Sequence, residues 1–326
     1  MGMRHGVRNP HVTTRRNKIM SQNDTAFARK IPIVINNLFP ERQKALNLAL
    51  VDAVKKDDDK QVHHLVQQGA NPNYIDERSF QGTSHKTLLH NACLNGWTKA
   101  GMALLHCGAH PHLYTYVCGN TVPSVATQLH YAAMKGNAVL VEALLDAGAN
   151  PHAPKKAFLK EYGGQTALHY AAEGGHIDVV TLLLARGLFP SANDAAQQTP
   201  LHLACENGHV HCASLLIQAG ANPNMVDDDG NAPLFFAADA LREGKDKKGD
   251  TVRTLVAFGA EPIVFNQNGH HPAHGLNIAH VRIFRKAVEE GLKLRAEMKN
   301  ASTSPKTPPN NDKKPSYSPA PVFGVF

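Results

Sequence analysis

The feature that most constrains this chain is a short string that returns along it in related form. Thr199-Pro200-Leu201-His202-Leu203-Ala204-Cys205 has relatives at Thr166-Ala167-Leu168-His169-Tyr170-Ala171-Ala172, Thr127-Gln128-Leu129-His130-Tyr131-Ala132-Ala133 and Thr87-Leu88-Leu89-His90-Asn91-Ala92-Cys93. A weaker copy stands at Ala232-Pro233-Leu234-Phe235-Phe236-Ala237-Ala238. In the four stronger copies a glycine follows 19 residues after the Leu, at Gly108, Gly148, Gly187 and Gly220. A chain that repeats itself with a period of about 20–50 residues builds a row of small units rather than one closed core.

Each unit reads as a pair of helices. Pro200 suits a first helical turn, where its missing N–H would be unbonded anyway. The Leu and the two small residues after His then fall on one face, and a second apolar run such as Val179, Val180, Leu182 and Leu183 follows Gly175-His176. Glycine at Gly148 or Gly220 is placed to end that second helix in the left-handed conformation. One such pair cannot bury its apolar face alone, so neighbours must stack and the end units must carry a polar outer surface. Residues 45–73 lack the starting string but keep Gln68-Gly69-Ala70-Asn71-Pro72, and residues 269–292 keep His271-Pro272-Ala273-His274 and end near Gly291. The row therefore has about seven units, five of them full.

Departures from the period carry the functional information. The closing Gly and the next Leu are 14 residues apart for Gly187 and Leu201 and for Gly220 and Leu234. They are 20 apart for Gly69 and Leu89 and for Gly148 and Leu168, and 21 for Gly108 and Leu129. Three successive connections are thus lengthened on one edge of the stack, and insertions recurring at one structural position often mark a binding face. A separate charged insertion, Arg242 through Asp250, lies inside the sixth unit.

These strings resemble the ankyrin repeat, with its T-P-L-H-x-A signature and period of about 33 residues, over residues 45–292. The resemblance implies an all-α solenoid of about seven helix-pair units with hairpin or loop connections. It also implies that His90, His130, His169 and His202 serve in hydrogen bonds tying neighbouring turns together. The expected function is protein–protein recognition as a scaffold or adaptor, without catalysis and without a cofactor. In ankyrin proteins the concave groove is lined by the loops and the exposed side of the first helix. Here that maps to Asn95, Lys135, Glu173, Glu206 and Asn207. The lengthened connections add Tyr74, Arg78 and Phe80, then Tyr114 and Tyr116, then Lys156, Phe158 and Tyr162. These segments hold six of the chain's 12 Phe and 7 Tyr side chains, and aromatics with Arg dominate interface hot spots. The same rings would equally serve as small cores for long hairpins, so both roles stay open.

Charge is segregated. Residues 1–30 hold seven basic side chains and one acidic, residues 301–326 three and one, leaving 24 basic against 25 acidic between them. The excess of +7 belongs to the ends, so it does not mark a nucleic-acid-binding body. The expected organisation is a basic disordered tail over 1–30, a capping segment or linker over 31–44, the repeat domain over 45–292, and a Ser/Pro/Lys-rich disordered tail over 293–326. No run approaches the roughly 18 apolar residues of a membrane span, and no apolar stretch follows the basic N-terminus to suggest a signal peptide. The five cysteines form no C-x-x-C pair, which fits reduced thiols and a cytoplasmic chain that is monomeric alone.

Other chemistry is weaker in the sequence. The histidines at 270, 271 and 274, and the group His209, His211 and Cys212, invite a metal. Neither has the C-x-x-C or H-E-x-x-H arrangement that makes a zinc site specific. A metal-binding or enzymatic protein using the His-rich C-terminal cap is the competing class. Asp57-Asp58-Asp59 reads as a solvated helix connection and Asp227-Asp228-Asp229 as a hairpin tip before Gly230. The apolar end Val322-Phe323-Gly324-Val325-Phe326 suits a docking or export signal. Within the ankyrin resemblance it allows a second version of the binder, an effector that an intracellular bacterium injects into a host cytosol.

Overall fold

The computed structural model describes residues 40–75, 86–117, 124–157 and 163–303. Its helices pair in order: α1 (Pro40–Lys55) with α2 (Asp59–Gln67), α3 (Leu88–Asn95) with α4 (Thr98–His106), and α5 (Gln128–Met134) with α6 (Ala138–Asp146). Then come α7 (Ala167–Glu173) with α8 (Ile177–Ala185), α9 (Pro200–Glu206) with α10 (Val210–Gln218), and α11 (Pro233–Arg242) with α12 (Asp250–Ala257). A long α13 (Ile278–Thr303) closes the row. First helices α3, α5, α7, α9 and α11 stack in one layer, and second helices α2, α4, α6, α8, α10 and α12 in another. The result is the all-α solenoid that the repeats require.

The core is a ladder of one residue type per position. Leu89, Leu129, Leu168, Leu201 and Leu234 are buried in successive first helices, each followed by buried small residues such as Ala132 and Ala133 or Ala204 and Cys205. Small side chains let first helices approach closely, and Leu fills the gap between the two layers. Gly148 and Gly220 end second helices at φ of 91° and 99°, a left-handed turn that a Cβ would strain.

Both ends differ from the expected borders. Helix α1 already begins at Pro40, and α13 continues to Thr303, so residues 293–303 are helical rather than part of a tail. Gly291 does not close a unit. It sits inside α13, where a Cβ would stand 2.7 Å from the Arg253 carbonyl of α12. Its absent side chain lets α13 lie against α12, and that packing carries the helix past a residue of poor helix propensity. The first helix of this last unit is reduced to turns over residues 272–275. The tails expected over 1–30 and beyond 303 lie outside the described residues.

The second and third long connections are joined in a small sheet. Strand β1 (Tyr114–Val117) pairs antiparallel with β2 (Ser124–Thr127), with Tyr114 opposite Thr127 and Tyr116 opposite Val125. Strand β2 pairs in turn with β3 (Lys156–Ala157), with Val125 opposite Lys156. The first long connection closes more simply, through a bridge between Ile75 and Thr87.

Candidate functional site: the first-helix face and its loops

The repeat string produces one bonding unit three times, and a variant of it at His90, where the Thr87 hydroxyl meets Nδ1 at 2.7 Å. Thr127, Thr166 and Thr199 cap α5, α7 and α9, and each donates its backbone N–H to Nδ1 of the His three residues on, at 3.0–3.1 Å. A nitrogen that accepts carries no proton, so Nε2 is the donor in each ring. It reaches a carbonyl of the next unit's loop: His130 to Gln165, His169 to Gln198 and His202 to Asn231, at 3.1–3.2 Å. His90 makes the same reach to Leu113 at 2.9 Å. These rings are 0–2% exposed. Burial pushes His90 down to about 3 and His130 and His169 to about 4, and lowers His202 as well, against the partial opposition of those carbonyl bonds. The four histidines are neutral clamps between loops, as the resemblance implies.

In three units the residue after the clamp position is an aromatic ring at the open side of the layer, whereas Asn91 and Leu203 at that position are buried. Tyr131, Tyr170 and Phe236 are half-buried and pack edge-on against the clamp of the preceding unit: His90 with Tyr131 at 6.1 Å, His130 with Tyr170 at 5.7 Å, His202 with Phe236 at 5.2 Å. Leu203 fills the place between Tyr170 and Phe236 in the row. Lys86 and Lys155 lie over the Tyr131 and Tyr170 rings at 5.4 and 5.7 Å. The sequence reading passed over this aromatic row. Its signal was present: one position of an otherwise small-residue helix holds Tyr, Tyr, Leu and Phe in consecutive units.

At the ends of the same helices stand the expected groove residues. Asn95, Lys135 and Glu173 are exposed and Glu206 is half-buried, so these side chains do share the exposed end of the first-helix layer. Asn95 turns back to the Asn91 carbonyl at 2.8 Å. Burial raises the Glu206 carboxyl, with Glu173, Glu243 and Asp239 adding repulsion against the pull of Lys245. Asp239 is raised by burial in spite of its ion pair with Arg242 at 2.7 Å.

The loop residues divide. Tyr74 packs against the hydrophobic core, and its carbonyl accepts from the Leu88 N–H, so its ring serves the base of the loop. Tyr114 and Tyr116 belong to β1, and Lys156 to β3. Arg78, Phe80, Phe158 and Tyr162 lie outside the described residues, as does the apolar end at Val322–Phe326.

Two acidic clusters are structural. Asp58 caps α2 by accepting from the Gln61 N–H. Asp57, rather than being simply solvated, accepts from the Ala100 N–H at 2.7 Å and joins the first two units. Asp227 holds its own turn, accepting from the Asp229 and Asn231 N–H groups at 3.0 and 2.8 Å.

The candidate metal groups are otherwise occupied. His271 Nε2 bonds the Pro262 carbonyl, and its Nδ1 accepts from the Ala273 N–H. The His270 and His274 rings stack at 3.9 Å about a turn over residues 272–275. His209 Nε2 bonds the Glu173 carbonyl at 3.0 Å. Among the described residues no three or more His, Cys, Asp or Glu side chains are arranged to hold an ion. Burial raises the thiols of Cys93 and Cys205 and takes Cys212 to about 11. None of the three supplies a thiolate at neutral pH.

A layered stack of helix pairs, with its histidines locked into loops and a mixed aromatic and polar face left open, defines a helical-repeat scaffold. The chain belongs to the ankyrin-repeat family, whose three-repeat pattern matches residues 50–154, 116–194 and 188–266. The human ASB11 ankyrin repeat domain is 25% identical with a TM-score of 0.56, covering 76% of this chain and 96% of that one. The ankyrin repeat domain of Bcl-3, a member of the IkappaB family, is 27% identical with a TM-score of 0.52, covering 73% and 97%. No curated protein sequence matches the chain. Ankyrin repeats bind protein partners, so the chain carries a protein–protein interaction module, of a family that is typically non-enzymatic. No helix among the described residues is long and apolar enough to cross a membrane.

Proposed function

We propose that the chain acts as a scaffold or adaptor that seats a partner protein along the open face of its first helices and the adjoining long connections. The observation that carries this reading is the row of half-buried rings Tyr131, Tyr170 and Phe236, bordered by Lys135, Glu173 and Glu206. Aromatic side chains half-fixed by packing against buried histidines offer contact area at little further entropic cost. Among the described residues four thiols are free, three of them buried, which suits work in a reducing compartment such as the cytoplasm.

The test uses the whole chain as bait in a lysate, beside two variants. One carries Lys135→Glu and Glu206→Lys on the helix face. The other carries Phe80→Ala and Phe158→Ala in the connections. Circular dichroism establishes that all three keep the same helix content. A protein held by the parent and lost by the face variant supports the reading. Identical capture by all three would defeat it.

A further inference from the structure

The open face is not uniform along the stack. Cations stand toward its first half: Lys135 is exposed at the end of α5, the buried Lys86 lies over Tyr131, and Lys155 lies over Tyr170, where the two halves meet. The second half carries carboxylates in register. Glu173, Glu206 and Asp239 occupy the same position of α7, α9 and α11, four residues after the clamp position. Asp239 is paired with Arg242, and Glu243 beyond it with Lys245. Glu173 and Glu206 take part in no ion pair among the described residues. The loops add one exposed carboxylate, Asp228, whose backbone N–H bonds the Ala196 carbonyl of the neighbouring turn, while Asp194 on that turn is buried and accepts from the Ala196 and Gln198 N–H groups. Beside Glu173 and Glu206 run the half-buried Tyr170 and Phe236, with Leu203 buried at the position between them, and at the end of this lane a cleft of about 210 Å³ opens beside Phe236, lined also by Phe235, Asp239, Arg242 and His270.

Packed aromatic rings beside two carboxylates without an ion pair favour one class of occupant. An extended peptide with alternating apolar and basic side chains would lay the apolar ones on the lane and bring the basic ones to Glu173 and Glu206. Arg suits both contacts, since its guanidinium stacks on an aromatic face and pairs with a carboxylate in a fork. An acidic segment would meet like charge at Glu173 and Glu206, which disfavours it as a partner. We propose that repeats four to six, from Tyr170 to Phe236, bind an extended Arg- or Lys-bearing segment of the partner protein. This deepens the reading above and rests on it.

The experiment uses the full chain and three fluorescent peptides of equal length. They share the same apolar residues and carry Arg, Gln or Glu at the alternate positions. Anisotropy titrations are run at low and at physiological salt. The expected result is preference for the Arg peptide, weakened about tenfold by Glu173→Gln with Glu206→Gln. An equal charge change off the face, Asp52→Asn with Asp178→Asn, leaves the affinity in place. If the Arg and Gln peptides bind equally, the cationic partner is overturned. The face itself survives that result if Tyr170→Ala and Phe236→Ala still abolish binding and lysate capture. If the Arg peptide is preferred but the double Gln variant changes nothing, the site lies elsewhere and the proposal falls. If neutralising Arg15, Arg16 and Lys18 tightens peptide binding about tenfold, the chain's own basic segment holds the face and an external partner is overturned.

Discussion

At the scale of single residues, one side chain explains most of the repeat's chemistry. The clamp histidines reach across units only as neutral rings, one nitrogen accepting and the other donating. Their pKa is lower folded than unfolded, so the unfolded chain binds more protons in the interval between the two values. Stability is therefore fully present above the unfolded value of about 6.5 and is lost as pH falls toward about 4 for His130 and His169 and about 3 for His90. Each buried ring contributes up to about 1.4 kcal/mol per pH unit inside that window. The raised carboxyls of Asp194, Glu206 and Asp239 act in the opposite sense, because the folded state takes up their protons first. Four clamps outweigh three partly solvated acids. Urea midpoints are expected to fall between pH 7 and pH 5 and the fall to be shallower in His169→Gln, which removes one titrating clamp. A midpoint unchanged by acid would contradict neutral burial of these rings.

At the scale of elements, the departures from the repeat are each held by a specific contact. The insertion between α11 and α12 is anchored by Asp246, 6% exposed, whose two oxygens accept from the Asp250 and Thr251 N–H groups at 3.1 and 2.7 Å. These are orphan donors of the first turn of α12, which a cap must satisfy. Asp246→Ala is expected to cost about 1–2 kcal/mol, and hydrogen exchange should show it first as fraying at Asp250–Arg253. Gly291→Val tests the other departure. A Cβ there meets the Arg253 carbonyl at 2.7 Å and the Val256 Cβ at 2.8 Å, so α13 must shift off α12. Overpacking of this kind costs about 1–3 kcal/mol, and the loss should appear in thermal melts as a weakened C-terminal end with helices α5–α9 intact.

At the scale of the whole molecule, the stack is quasi-one-dimensional, because each unit touches only its neighbours. Opening therefore costs least at the ends and most in the middle. Truncation after Asn277 removes α13 and uncovers the buried Val252 and Val256 surface of α12. Exchange is expected to rise in α12, then α11, while amides of α5 through α9 stay protected. Uniform loss of protection would instead mark a single cooperative unit. The charge pattern also belongs to this scale. The body is near neutral in sum, while the first helices end in Lys135 on α5 and in Glu173, Glu206 and Asp239 on α7, α9 and α11.

Much of this was legible in order along the chain. The repeated string determined the helix pairs, their stacking and the clamp histidines, because one period, one Leu position and one Thr-x-x-His spacing recur and each has a local physical reason. The exposed ends of the first helices, Lys135, Glu173 and Glu206, were legible for the same reason. What only the tertiary structure decided involves neighbours far apart in sequence. Gly291 reads as a stop until α12 lies against it, and residues 293–303 read as a tail until that contact extends the helix. Asp57 reads as solvated until the Ala100 N–H reaches it from the next unit. The aromatic row acquires meaning only when Tyr131, Tyr170 and Phe236, 39 and 66 residues apart, come into line against the previous unit's histidine. Local periodicity sets each element, and alignment between elements sets the face they present.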